Sequence, residues 1–151
     1  MQIQLTQKER MLLEDGKKQE NLCAKKYQSY ANQVQGPQLK NLLMEIVQEE
    51  QHHYNMINQI LQGVQPDMTQ KPINITTEAH TTFQGPSPKD QILLEDLLST
   101  EKYVSGFYDT AVFEAADPNV RQALQHIQQD EQAHGEKLFN YMHSHGMYDI
   151  K

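Results

Sequence analysis

Residues 48–53 read QEEQHH, and residues 129–134 read QDEQAH. Both contain Glu-x-x-His, as Glu50 with His53 and Glu131 with His134, and the two copies stand 81 residues apart. The match extends along the chain without a gap. Leu12-Leu13-Glu14-Asp15 pairs with Leu93-Leu94-Glu95-Asp96, Glu20 with Glu101, and Tyr27 with Tyr108. Pro37 pairs with Pro118, Leu43 with Leu124, and Ile46 with Ile127. A repeat of this size is one helical hairpin, which cannot bury its apolar stripe alone; two hairpins facing each other can. The repeat therefore predicts an all-α, pseudo-two-fold four-helix bundle.

Gly and Pro punctuate the chain at Gly36-Pro37, at Asp117-Pro118-Asn119, and through a stretch from Gly63 to Pro88. Between them the apolar spacing is helical, predicting helices near residues 5–35, 38–62, 89–116 and 119–145. Pro37 and Pro118 sit where a helix tolerates proline, at its start. Ser87 or Asp90 is a candidate cap for the third helix, and Gly146 a terminator for the fourth. The tight first and last connections make antiparallel neighbours of helices one and two, and of three and four. The linker near residues 63–88 is long enough to run the length of a helix of about 42 Å. It permits a crossover. His80, within it, reads as solvated.

The seam of helix two runs through Leu39, Leu42 or Leu43, Ile46, Glu50, His53, Ile57 and Ile60. That of helix four runs through Val120, Ala123 or Leu124, Ile127, Glu131, His134, Leu138 and Tyr141. This is the spacing of a bundle interior. Glu20 shares a helix-one face with Leu13, Ala24, Tyr27, Ala31 and Val34, and Glu101 shares a helix-three face with Leu94, Val104 or Ser105, Tyr108 and Val112. Four carboxylates and two imidazoles thus fall on buried stripes near the helix midpoints, which a two-fold axis brings to one level. Burying an ionised carboxylate costs several kcal/mol, and four together repel. Two divalent cations would neutralise them. One Glu from each of two helices, with Glu-x-x-His from each of the other two, is the pattern of di-iron and di-manganese carboxylate bundles. The donors suit Fe or Mn, with Zn possible.

The expected roles are specific. Glu50 and Glu131 bridge two ions, Glu20 and Glu101 bind terminally, and His53 and His134 each bind one ion. Tyr27 and Tyr108 either donate hydrogen bonds to the ligating carboxylates or simply fill the core. In the competing reading the site is a relic, held by shared protons or by Lys17, one turn before Glu20. Cys23 reads as a small buried hydrophobe. Glu49 and His52 repeat the Glu-x-x-His spacing one residue off the seam and read as surface. His126, His143 and His145 read as solvated.

The bulk numbers exclude several classes. The 151 residues fit one domain. With 20 acidic against 13 basic residues the net charge is −7, which repels nucleic acid. No stretch is apolar enough to span a bilayer, and MQIQLTQKER has no apolar signal region, so synthesis in the cytoplasm is expected. One cysteine permits neither an internal disulfide nor a Cys-based zinc site.

The segment QLTQKERMLLED with Glu20 and NQVQGPQLKNLLMEIVQEEQHH, its partner from LLEDLLSTEKYV to YMHSHGMY, and the closing Tyr141-Met-x-x-x-Gly-Met-Tyr148 resemble the Coat F domain of spore coat proteins of endospore-forming Firmicutes. The resemblance spans nearly the whole chain. It implies a ferritin-like fold, a place in or near the spore coat after sporulation, and spore coat proteins or self-association as partners. It supplies no reaction. The doubled Glu-x-x-His differs from ferritin, and the Cys-rich rubredoxin module of rubrerythrin is missing. Three functions compete: a coat structural protein whose Gln-, Lys- and Tyr-rich surface could serve cross-linking; a di-metal oxidase or manganese-catalase-like redox enzyme; and metal storage without catalysis.

Overall fold

The computed structural model describes residues 2–68 and 87–151. Among them are four helices and no strand: α1 (Gln7–Ala31), α2 (Pro37–Leu61), α3 (Pro88–Glu114) and α4 (Pro118–Ser144). Each start has a local cause. Thr6 and Glu9 form a reciprocal capping box, with Glu9 N donating to Thr6 Oγ1 at 3.0 Å and Thr6 N donating to Glu9 Oε1 at 2.9 Å. Ser87 caps α3 by accepting from Asp90 N, and Asp117 caps α4 by accepting from Asn119 N at 2.7 Å. Pro37, Pro88 and Pro118 each open their helix, where the missing N–H would have had no partner.

Three helices begin and end within two residues of the expected bounds. α1 stops at Ala31, short of the expected 35. There Gln33 N and Val34 N both turn back to Tyr30 O, and Gly36 takes φ 88°, which L side chains rarely adopt. Helical spacing continues through Val34, but the glycine bends the backbone away earlier.

Contacts fix the directions. Lys8 pairs with Glu114, Tyr30 with Asp96 and Gln35 with Asp90, so α1 and α3 run antiparallel. His53 meets Asp130 and Lys137 meets Glu45, so α2 and α4 do too. Leu61 and Pro88 consequently lie at opposite ends of the bundle, and the order is up-down-down-up. Residues 69–86, with His80, lie outside the described residues.

Two buried apolar clusters fill the bundle. One contains Leu13, Ile57, Ile60, Val104, Tyr108, Leu124 and Ile127; the other contains Tyr27, Leu39, Leu43, Ile46, Leu94, Leu97 and Leu138. The repeat exchanges them: Leu13 maps onto Leu94, Tyr27 onto Tyr108, Ile46 onto Ile127. Truncating one of these side chains to Ala costs about 2–5 kcal/mol. A polar layer interrupts this apolar interior.

Candidate metal centre

That layer is built from Glu20 on α1, Glu50 and His53 on α2, Glu101 on α3, and Glu131 and His134 on α4, all buried. The structure brings all six together. Their donor atoms fall into two overlapping quartets, Glu20, Glu50, His53 and Glu131 on one side and Glu50, Glu101, Glu131 and His134 on the other, each within a 4.8 Å span. Glu50 and Glu131 belong to both.

Each imidazole turns Nδ1 inward. His53 Nδ1 lies 3.2 Å from Glu131 Oε1 and 3.6 Å from Glu20 Oε2. His134 Nδ1 lies 2.9 Å from Glu50 Oε1 and 3.4 Å from Glu131 Oε2. The outward nitrogens are held across the bundle: His53 Nε2 is 2.8 Å from Asp130, and His134 Nε2 is 2.5 Å from Glu49. Such outer carboxylates fix ring orientation and raise the basicity of the inner nitrogen. The tyrosines also cross between hairpins, the Tyr27 phenol donating to Glu101 and the Tyr108 phenol to Glu20.

Glu49 is therefore no surface residue. It is nearly buried, bonded to His134 and 3.5 Å from Lys137 Nζ. The sequence held a signal for it, since the 81-residue offset sets Glu49 against Asp130, acid beside ligand in both hairpins. Seam position alone misses it because a long side chain one step off the seam still reaches the neighbouring helix. His52 is half-buried with Nε2 unpartnered, and His126, also half-buried, lies 3.7 Å from Asp130, so neither is simply solvated. His145 is half-buried on the Tyr141 ring, while His143 is exposed. Lys17 lies over the Tyr54 ring. Cys23 is buried at 3 % exposure; burial, then the charges of Glu20, Glu131 and Glu101, push its thiol up to about 12.

The layer holds protons as well as charge. Burial, then Glu20 and Glu131, push Glu50 well above the carboxylate range. Burial and the Glu131 carboxylate raise Glu101 to about 8. Burial would raise Glu131 too, but hydrogen bonds with Glu101, His134 and His53 outweigh it and hold it well below 4.5. Burial opposes charging of both imidazoles; Glu20, Asp130 and Glu131 overcome this at His53, and Glu101, Glu131, Glu49 and Glu50 at His134, raising both. Among the described residues, Glu20 Oε2, both Glu50 oxygens, Glu101 Oε2 and His134 Nδ1 are buried without a hydrogen bond of good geometry, His134 Nδ1 and Glu50 Oε1 meeting only as an ion-pair contact. Unpaired polar atoms in a core are costly. Oxygen-rich donors with one imidazole per quartet fit a hard or borderline divalent cation.

Four antiparallel helices in up-down-down-up order around a buried carboxylate–imidazole layer define a ferritin-like bundle. Solved structures share it. The chain superposes with a TM-score of 0.72 on a two-domain protein of Anabaena variabilis with DJ-1/ThiJ/PfpI-like and ferritin-like domains, at 13% identity over 95% of this chain, and it spans 38% of that protein. It superposes equally well on the manganese catalase KatB of Anabaena, at 16% identity over 95% of this chain and 76% of that one. A dodecameric thioferritin, the bacterioferritin-related protein of Bacteroides fragilis, gives 0.67 at 22% identity, covering 91% and 85%. No curated protein matches the chain in sequence. The Coat F domain family matches residues 89–151, which are α3, α4 and the tail, so the resemblance is borne out over the second hairpin. No described helix is long and apolar enough to cross a membrane.

Proposed function

We propose that this chain is a spore-coat-associated protein that binds two iron or manganese ions in its core. The observation that carries the proposal is the pair of overlapping quartets sharing Glu50 and Glu131. Glu50 and Glu131 bridge, Glu20 and His53 complete one position, and Glu101 and His134 complete the other. Asp130 and Glu49 orient the imidazoles, and Tyr108 and Tyr27 orient the terminal carboxylates. Zinc fits the same donors. The spore coat location rests on the Coat F match, and coat proteins or further copies of this chain are its expected partners.

Elemental analysis of protein produced with iron or manganese tests the site. About two ions per chain are expected; fewer than about one ion per two chains would end the proposal. Recovery from the insoluble coat fraction of spores tests the location.

A second reading, a di-metal redox enzyme, is favoured by the donor set. Four protein groups per ion would leave room for a further ligand, and a redox-active ion held there would supply peroxide or dioxygen chemistry. The shared fold with a manganese catalase agrees with it. Peroxide or oxygen consumption by loaded protein separates it from storage: metal-replete protein that consumes neither favours storage.

A further inference from the structure

The polar layer is enclosed by four helices, and the two sides where the hairpins meet differ. Between α2 and α4 an ionic lattice closes the side: Glu49 holds His134, Asp130 holds His53, and Lys137 spans Glu45 at 3.1 Å and Glu49 at 3.5 Å. Between α1 and α3 the outer surface carries a groove of about 350 Å³. Its walls are Gln19, Leu22 and Lys26 from α1 and Ser99, Thr100 and Tyr103 from α3; Cys23 is the remaining lining residue.

Cys23 stands one helical turn after Glu20, on the same side of α1. Its counterpart on α3 is Val104, which is fully buried. Tyr27 and Tyr108 cross between α1 and α3 to bond Glu101 and Glu20. Cys23 is the one buried residue among those lining the groove, and it lies one turn from the candidate ligand Glu20.

The lining chemistry selects what could pass. Among the described residues no carboxylate lines the groove, and the one cation there, Lys26, is held by Thr100 at 2.9 Å and Asp96 at 2.7 Å. A divalent cation would find no opposite charge there and would have to shed water against sulfur and methyl groups, which is costly. A small neutral molecule meets no such cost.

We propose that the α1–α3 groove is the mouth through which a small uncharged oxygen species, dioxygen or hydrogen peroxide, reaches the layer, and that Cys23 is its gate. The inference rests on the two-metal reading above and specifies the route to it. Cys23 is a positioning residue.

The test uses full-length protein loaded anaerobically with ferrous iron, with nitric oxide as a neutral diatomic probe whose binding is followed by stopped-flow absorbance. Elemental analysis precedes mixing. Cys23→Phe should slow binding about tenfold or more, or ~1.4 kcal/mol on the barrier, at unchanged iron content. Ser99→Trp, on the exposed rim and so without cost to the core, should slow it in the same direction. Cys23→Ala should speed it. Peroxide and oxygen consumption by the same variants then distinguishes the two species. Iron-loaded protein whose binding rate is the same in wild type and all three variants, or that binds no nitric oxide, overturns the route while leaving the two-metal reading intact. Protein that takes up no iron overturns both before nitric oxide is added.

Discussion

Glu50 and Glu131 occupy equivalent places in the repeat, yet their surroundings separate them. Glu131 lies between both inner imidazole nitrogens and stays ionised. Glu50 meets one of them, His134 Nδ1 at 2.9 Å, and burial with the charges of Glu20 and Glu131 pushes its carboxyl well above the usual carboxylate range. Replacing each by Gln should therefore abolish metal binding in both cases but split the metal-free stabilities. Glu131→Gln leaves two buried imidazoliums short of a counter-charge and should cost about 3–5 kcal/mol in urea unfolding. Glu50→Gln should change stability by less than about 1 kcal/mol. Equal losses would mean that the two carboxylates share charge evenly. Four carboxylates on one level were legible as apolar-seam violations; how their protons distribute was not, because it depends on which oxygen faces which ring. Loading follows the same logic. Glu50, Glu101, His53 and His134 hold protons that ligands must lose, so metal uptake at neutral pH should release protons, measurable with a pH indicator in weak buffer. Uptake without proton release would contradict the protonated layer.

At the scale of elements, the carboxylates that begin α1 and α3 tie the hairpins together. Glu9 Oε2 accepts from Ala116 N at 3.1 Å and Asp117 N at 3.0 Å, in the turn before α4. Asp90, its counterpart at the same offset, accepts from Gln35 N at 3.3 Å, in the turn before α2. The sequence marked Asp90 only as a candidate cap of its own helix and gave Glu9 no role. It did not show the reach into the other hairpin's turn, a contact that exists only after packing. Burial raises the Glu9 carboxyl, but hydrogen bonds from Asp117, Thr6 and Ala116 outweigh it and hold it below 4.5. A group depressed on folding contributes stability above its unfolded value, and that contribution is lost as pH falls through the folded value. Glu9→Gln should cost about 1–3 kcal/mol at pH 7. The difference from wild type should shrink below pH 4.5 as the wild-type carboxyl protonates. Urea midpoints across pH 3–7 check this, and a pH-independent difference would show that the charge of Glu9 contributes nothing.

For the whole molecule, cross-hairpin contacts in and around the layer recur in pairs. Tyr27 on Glu101 mirrors Tyr108 on Glu20, Glu49 on His134 mirrors Asp130 on His53, and Glu9 on the second turn mirrors Asp90 on the first. The 81-residue offset made this symmetry readable before any coordinates, which is why the bundle and the six core residues could be argued from spacing alone. The outer imidazoles and Lys137 break the symmetry, with His126 standing where the offset places Glu45 and Met56 matching Lys137. The symmetry has a consequence for the second hairpin alone. Two copies of residues 87–151, related by a true two-fold axis, would place Tyr108 on the partner copy's Glu101, Asp130 on its His134 and Asp90 on its inter-helix turn. Together they would present two copies of Glu101, Glu131 and His134, the same six donors. One hairpin cannot bury its stripe, so without metal the fragment should be largely unfolded. Metal binding supplies folding free energy where a site forms only in the folded state. Manganese or ferrous iron should therefore convert the fragment from a poorly helical monomer to a helical dimer, read by circular dichroism and sedimentation. The Glu131→Gln fragment should stay monomeric. A fragment that remains an unfolded monomer at saturating metal would show that the asymmetric residues of the first hairpin, and not the shared repeat, make the layer fold.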